Sequence, residues 1–282
     1  MSPPAPTIPA ELISAFQVTS ALSLQELPKA QIWQVETQAH GRAVLKYYTA
    51  GHMGNEAAGF RVLDQLQGPV VDIYQVTQNA ALMEWLPGPS LGDISRMGNQ
   101  EEADRILAEV ATTIHQQTRL IKPLDPTPLA TWFDALLSLS DPLRVTPLQR
   151  QNLLRGQQLA KMLLSSQEDI RPLHGDLHHE NIRKGARGYC AFDAKGLLGE
   201  RSYELANALR HPHGLKPSHG KVDLLAQRAQ LWGRIFDVSP KRLLQWGCAK
   251  SALSMVWRHH LDLRQDPEMD LLEQMLVLQS RL

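Results

Sequence analysis

Residues 173–182 read LHGDLHHENI, and the fold of the chain turns on how that stretch is understood. His174, Gly175, Asp176 and Asn181 spell H-G-D-x-x-x-x-N. Three histidines in ten residues also suit a metal site or a pH-sensitive surface. Their spacing does not match an H-E-x-x-H zinc helix, and no cysteine completes a metal set. His178 and His179 are therefore expected as loop residues beside a substrate pocket. Twelve residues beyond Asn181 the apolar run YCAFD ends in Asp193. Phosphoryl transfer from ATP needs a carboxylate that orients or deprotonates the acceptor hydroxyl, and oxygen ligands for Mg²⁺ on the phosphates. Asp176 suits the first task. Asn181 and Asp193, one on the loop and one at the strand end, suit the second.

Such chemistry also needs a strand lysine on the phosphates and a helix glutamate to hold it. In AVLKYY (43–48), Lys46 lies inside a candidate strand, where a lone charge is costly without a task or partner. In NEAAGFRVL (55–63), Glu56 lies near the start of a candidate helix. Each has an ordinary explanation, an edge-strand lysine and a glutamate favoured by the helix dipole. Their order ahead of the loop motif is what makes the pair informative.

The chain around these residues divides by pattern. QIWQVET (31–37) and RAVLKYY (42–48) alternate in part and join through a turn at Gly41. Ala57, Phe60, Leu63 and Leu66 fall at helical spacing. PVVDIYQVT and AALMEWL read as two more strands, and a weaker strand near Leu22 completes β-β-β-α-β-β. PGPSLGD (87–93) breaks the pattern and is the linker candidate. Beyond it the spacing predicts helices over 100–117, 129–137, 148–166, 203–210, 222–236, 240–263 and 268–278. The proline-rich first dozen residues are expected to form a loose arm.

The 282 residues carry 29 basic and 29 acidic side chains and are 43% hydrophobic. That composition suits a folded chain with a sizeable core and offers no basic stripe for nucleic acid. No apolar run is long enough to cross a bilayer. The N-terminus lacks a basic, uninterrupted apolar leader, and the two cysteines make no disulfide framework, so a cytoplasmic protein is expected. Cys190, inside an apolar run, is expected to be a buried small hydrophobe.

The segments AVLKYY, NEAAGFRVL, ALMEWLPGPSL, LHGDLHHENI and FDAKGLLGERSYELANALRHP together resemble the aminoglycoside phosphotransferase family, and within it the streptomycin 6-kinase and hydroxyurea-resistance kinase branch. The resemblance runs from about Ile32 to Pro212. It implies an α+β, two-lobed, protein-kinase-like fold: a small antiparallel sheet lobe with one helix over 1–86, a linker and hinge exit over 87–98, and a mostly helical lobe over 99–282. It implies Asp176 as the catalytic aspartate, Asn181 and Asp193 as magnesium ligands, and Lys46 on the phosphates paired with Glu56. Glu84, Trp85 and Leu86 would form the hinge that meets the adenine, and His174 would brace the loop. The acceptor implied is a small-molecule hydroxyl, as on streptomycin-like aminoglycosides. A sugar, amino alcohol or other metabolite is the alternative acceptor, and a nucleotide-binding pseudokinase the alternative of another class.

Three features depart from the pattern. No G-x-G-x-x-G precedes Lys46, only LPKAQIW (27–33); D-P-K-G becomes DAKG; and Glu204 stands where the family usually has Asp. The longer Glu204 is expected to reach the loop donors less well. Lys195 is expected either on phosphate or substrate, or facing solvent. The acidic residues Asp262, Asp266, Glu268 and Asp270 are expected either to line an acceptor pocket or to form a solvated face.

Overall fold

A computed structural model describes residues 7–118, 121, 125–139, 143–215 and 221–282. The chain opens with helix α1 (Ala10–Ala15), then strands β1 (Val18–Glu26), β2 (Ala30–Thr37) and β3 (Gly41–Tyr48). Helix α2 (Glu56–Asp64) precedes β4 (Ile73–Val76) and β5 (Ala80–Glu84). The five strands form one antiparallel sheet in the order β1-β2-β3-β5-β4.

Period two sorts the side chains of this sheet onto its two faces. Trp33, Val35, Ala43, Leu45, Ala80 and Leu82 are buried together on one face. Ile8, Leu12 and Phe16 pack onto that face, so the expected loose arm is instead a docked segment from residue 8 onward. Proline punctuation gave no hint of it, because the segment is held by tertiary burial and not by propensity. The first six residues of that expected arm lie outside the described residues. Val44, Lys46 and Tyr48 alternate onto the opposite face, with Lys46 paired to Ala81 on β5. The sheet part thus carries α1 as well as the single helix expected.

The linker candidate is more ordered than its prolines suggest. Helix α3 (Leu91–Arg96) begins inside it, capped by Ser90. Ser90 Oγ accepts from the Asp93 amide at 3.0 Å, and Asp93 accepts from the Ser90 amide at 3.0 Å, a reciprocal capping box. Helix α4 (Gln100–Gln117) follows within the expected bounds. Next come β6 (Thr127–Pro128), two single-turn helices α5 (Leu129–Trp132) and α6 (Asp134–Leu137), and α7 (Pro147–Ser165). Strands β7 (Ile170–Leu173), β8 (Ile182–Gly185), β9 (Gly188–Ala191) and β10 (Leu197–Glu200) bracket the H-G-D-x-x-x-x-N loop and the strand-end Asp. Helices α8 (Lys221–Ile235), α9 (Pro240–Trp257) and α10 (Pro267–Arg281) close the chain. Nearly every side chain of α9 from Leu243 to Val256 is buried, which makes it the central helix of this part. Among the described residues, no helix is long and apolar enough to cross a membrane.

Residues 203–210, expected as a helix, form only short 3₁₀ turns at Arg201–Tyr203 and Asn207–Arg210. Every residue from Ser202 to Leu209 is buried, and the Glu204 carboxylate in this stretch is committed to the loop after β7. The β8–β9 hairpin is stitched to the first part of the chain. Gly88 N–H donates to Lys184 O at 2.8 Å, Lys184 N–H to Pro89 O at 3.1 Å, and Val71 N–H to Ala191 O at 2.9 Å. Asn181 and Asp193 flank that hairpin, so these bonds set both against the sheet.

Candidate active site

The loop after β7 is held from beneath by Glu204. Its two carboxylate oxygens accept from the backbone amides of His174 and Gly175, each at 2.9 Å, and from His115 Nε2 at 2.8 Å. Burial opposes the charge, but these hydrogen bonds hold the Glu204 carboxyl below the usual carboxylate range. The expectation that Glu204 would reach its donors poorly is therefore corrected: the extra methylene still brings both oxygens to hydrogen-bonding distance. Gly175 adopts φ +80, and a Cβ there would lie 2.6 Å from the Leu197 side chain, so this turn requires glycine.

His174 is buried and braces the loop. Its Nδ1 accepts from the Asp176 amide at 3.3 Å, and its Nε2 donates to Phe192 O at 3.0 Å. Its own carbonyl accepts from the Lys195 amide at 2.7 Å. The loop and the Asp193 segment are thus one hydrogen-bonded unit. Asn181 Nδ2 donates to Asp176 O at 3.0 Å, and Asn207 Nδ2 donates to Asp176 Oδ1 at 2.6 Å. Arg210 in turn donates to Asn207 Oδ1 at 2.7 Å. Asn207 and Arg210 were not singled out from the sequence, although both lie three residues apart in the segment that carries the family resemblance.

Lys46, Glu56 and Asp193 meet as expected. Lys46 Nζ lies 2.6 Å from Glu56 Oε2 and 2.6 Å from Asp193 Oδ1. Lys195 joins them, 2.9 Å from Glu56 and 3.4 Å from Asp193, so it faces neither solvent nor open cleft. Tyr48 also donates to Glu56. Burial pushes the Asp193 carboxyl up, yet Lys46 and Lys195 outweigh it and hold the group well below the usual range. Two close backbone approaches make this meeting possible. A Cβ on Gly59 of α2 would lie 1.8 Å from Ala194 O, and one on Gly196 would lie 2.4 Å from the Ala58 carbonyl carbon. The Gly of DAKG and the Gly of NEAAGF are two sides of one contact.

A cleft of about 560 Å³ opens between the sheet and the loop. Lys46, Glu84, Trp85, Leu86, Asn181 and Asp193 all line it, together with apolar side chains such as Val44, Met83 and Phe192. The end of β1 contributes Leu24 and Gln25, and the turn after it Leu27, in place of a glycine-rich loop. The Glu84 side chain turns aside to Arg187, and its amide donates to Asp72 O at 2.9 Å. The donor chemistry fits a magnesium ion. Asp193 is a carboxylate held ionised, and Asn181, whose Nδ2 is spent on Asp176, keeps its amide oxygen available. Hard carboxylate and carbonyl oxygens are the ligands this ion takes.

His178 and His179 separate in role. His178 stacks on His211, with ring centroids 3.8 Å apart, and its Nε2 lies 4.0 Å from Asp176 Oδ1. His179 is not a pocket residue as expected. It is fully buried, 2.6 Å from Asp104 Oδ1, and Asp104 is also bound by Arg228 at 3.0 Å. Beside the loop a second cavity, about 370 Å³, is lined by Arg210, His211, Ser254, Arg258, Asp266 and Glu268. Its two carboxylates are tied up: Glu268 lies 2.5 Å from Arg210 and Arg258, and Asp266 lies 2.7 Å from Arg258. Asp262 pairs with Arg264 at the surface, and Asp270 is exposed. The acidic tail is thus neither a bare anionic lining nor wholly a solvated face. Cys190 is buried, as its apolar context predicts.

Comparison with known proteins agrees with this geometry. The model of the aminoglycoside/hydroxyurea antibiotic resistance kinase family matches residues 18–261. The chain is 34% identical to streptomycin 3''-kinase of Klebsiella pneumoniae over 209 residues, 72% of this chain and 76% of that one. Its fold is similar to that of an amicoumacin kinase solved with AMP-PNP, Ca²⁺ and its ligand (TM-score 0.66, 14% identity, covering 96% and 92% of the two chains). It is also similar to an aminoglycoside phosphotransferase solved with ADP and hygromycin B (TM-score 0.60, 11% identity, 96% and 97% covered). The chain belongs to the aminoglycoside/hydroxyurea antibiotic resistance kinase family and is an ATP-dependent small-molecule phosphotransferase of α+β, protein-kinase-like fold.

Proposed function

We propose that the protein transfers the γ-phosphate of magnesium-ATP to a hydroxyl of an aminoglycoside such as streptomycin, in the cytoplasm. The observation that carries this reading is the convergence of Lys46, Glu56 and Asp193 on one cleft wall with Asp176 and Asn181 on the loop facing it. The 34% identity to a streptomycin kinase supports the acceptor class. The lobes in this reading are the sheet part up to residue 86 and the helical part from residue 99, with 87–98 leading out of the hinge.

Each residue has a task that its surroundings suit. Trp85 and Leu86 take the adenine at the hinge, since Glu84 has already committed its amide and side chain. Lys46 neutralises phosphate oxygens and is kept in place by Glu56, which Lys195 and Tyr48 also hold. Asn181 and Asp193 would hold magnesium, which when bound draws charge from the phosphate oxygens. Asp176, aligned by Asn207, orients the acceptor hydroxyl and takes its proton. Most of the rate enhancement comes from positioning and charge stabilisation.

The test is ADP release from magnesium-ATP with streptomycin, other aminoglycosides, simple sugars and amino alcohols as acceptors. Streptomycin-dependent ADP release that vanishes in Asp176→Ala is expected. Release that persists unchanged in that variant would overturn the assigned mechanism. Turnover on a sugar or amino alcohol alone would reassign the acceptor.

A further inference from the structure

His178 has a fixed tautomer and a defined neighbour, and the tasks assigned above use neither. Its Nδ1 accepts from the Glu180 amide at 3.2 Å. A neutral imidazole that accepts at Nδ1 carries its proton on Nε2. That Nε2–H lies 4.0 Å from Asp176 Oδ1, beyond hydrogen-bonding reach. The ring is held rigidly: it stacks nearly parallel on His211, which meets His213 edge-on at 4.3 Å. Burial and the neighbouring histidines also disfavour a second proton on the ring, while Asp176 and Glu180 favour it less strongly, leaving its pKa at about 4. A neutral N–H donor is thus aimed near a carboxylate that it does not touch. A gap of 4.0 Å is right for one oxygen to bond to both groups at an ordinary length of about 2.8 Å.

We propose that His178 is a second anchor for the acceptor hydroxyl: Nε2–H donates to the hydroxyl oxygen while that hydroxyl donates to Asp176. The inference rests on the kinase reading above. With both contacts made, the remaining lone pair of the oxygen is fixed in direction. In the transfer the oxygen bonds to the γ-phosphorus, and the bond from that phosphorus to the β,γ-bridging oxygen breaks. The bonding pair leaves with ADP, the hydroxyl proton passes to Asp176, and His178 keeps its own proton throughout. A neutral imidazole suits this task better than an imidazolium would, because a charged donor would withdraw electron density from the attacking oxygen. The histidine stack behind the ring then serves to keep it neutral as well as still.

Two substitutions separate anchoring from scaffolding. His178→Asn keeps an oxygen near the Nδ1 position for the Glu180 amide but has no donor at the Nε2 position. His178→Gln places an amide N–H near the Nε2 position. If His178 anchors the hydroxyl, Asn lowers kcat for streptomycin phosphorylation by about 10–100-fold, the scale of a misplaced reactant. KM for ATP would stay within about twofold of wild type, and Gln would be the more active of the two. A merely structural role predicts the reverse ranking, with Asn the better substitute. Wild-type transfer rates in His178→Asn, or a raised KM for ATP with kcat unchanged, would overturn the anchor; the second result would assign the donor to the phosphate. A wild type that releases no ADP with any acceptor would overturn the kinase reading and the anchor with it.

Discussion

Two charged clusters flank the H-G-D loop, and they differ in one respect. At the wall of the cleft, Lys46 and Asp193 join Lys195 and Glu56 behind them, two positive against two negative charges with 10–28% of each side chain open. Behind the loop, Arg228 and Asp104 balance one against one beside a neutral His179, with no more than 4% of any side chain open. In both clusters the opposite charges pair with one another. The first borders the cleft and its side chains are partly open, so its ion pairs can be re-partnered by incoming oxygens. The second is almost fully buried and ties α4, α8 and the loop together, although Asp104 and Arg228 also edge a separate cavity. Charge balance beside a cavity does not by itself mark a working site; what separates the two clusters is how open the paired groups are.

The largest expected effect tests the open cluster. Asp193→Ala should lower phosphoryl transfer on the order of 10⁴-fold, since it removes the proposed metal ligand and a partner of Lys46. It should leave the melting temperature within a few degrees of wild type. The stabilisation that magnesium-ATP gives the wild type, about 2.7 kcal/mol at a hundredfold excess over Kd, should disappear. Scanning fluorimetry with and without magnesium-ATP reads both quantities. A variant that keeps the nucleotide-dependent shift would break the distinction between the clusters.

The more deeply buried cluster should respond in stability instead. Asp104→Ala leaves Arg228 buried, charged and without its carboxylate partner, a defect that costs about 3–5 kcal/mol. Urea unfolding should show the midpoint falling, while molecules still folded keep their KM for ATP. A loss under 1 kcal/mol would mean that Arg228 is rescued by the Ala208 and His211 carbonyls it also contacts.

Gly59→Ala connects the two measurements. The added methyl would meet the Ala194 carbonyl, which is backbone and cannot swing away, so α2 must shift. Overpacking of this kind costs about 1–3 kcal/mol. The shift also pulls Glu56 from Lys46 and Lys195, so activity should fall about tenfold together with the stability. Loss of stability without loss of activity would show that Glu56 has slack.

Much of this was legible in the sequence because it is local. Alternation put Lys46 on the face opposite Leu45, helical spacing buried Phe60, Leu63 and Leu66, and the H-G-D-x-x-x-x-N spacing located Asp176 and Asn181. The capping box Ser90–Asp93 was equally local, and the flanking prolines masked it. What stayed hidden is non-local. His115 supports Glu204 from 89 positions away, and Asp104 meets Arg228 across 124. No periodicity encodes such pairings. The four-residue strands β7, β8 and β10 are too short for alternation to be read, and α1 is ordered by the sheet it covers. His178 and His179 are adjacent and identical, yet one faces the site and the other is sealed, a difference set entirely by His211 and Asp104.

Lys250 supplies the smallest effect and a third case, a buried charge with no countercharge. It lies on α9 with its ammonium 4.8 Å from the centre of the Trp257 ring, and no carboxylate lies within ion-pair distance among the described residues. Burial, then Arg210, lowers its pKa to about 8, with Asp176 and Glu268 opposing. The sign follows from linkage. A base whose folded pKa falls below its unfolded value, about 10.4, costs stability while it is charged. That cost is full below pH 8, shrinks as pH rises, and is gone above about 10.5. Lys250→Met removes the charge and keeps the volume. It should therefore stabilise the protein by about 1–2 kcal/mol at pH 7, once the lost contact with Trp257 is offset. The gain should shrink steadily when the same pair is unfolded in urea at pH 8, 9 and 10. A gain that does not change with pH would show that packing, and not the buried charge, sets the cost of this lysine.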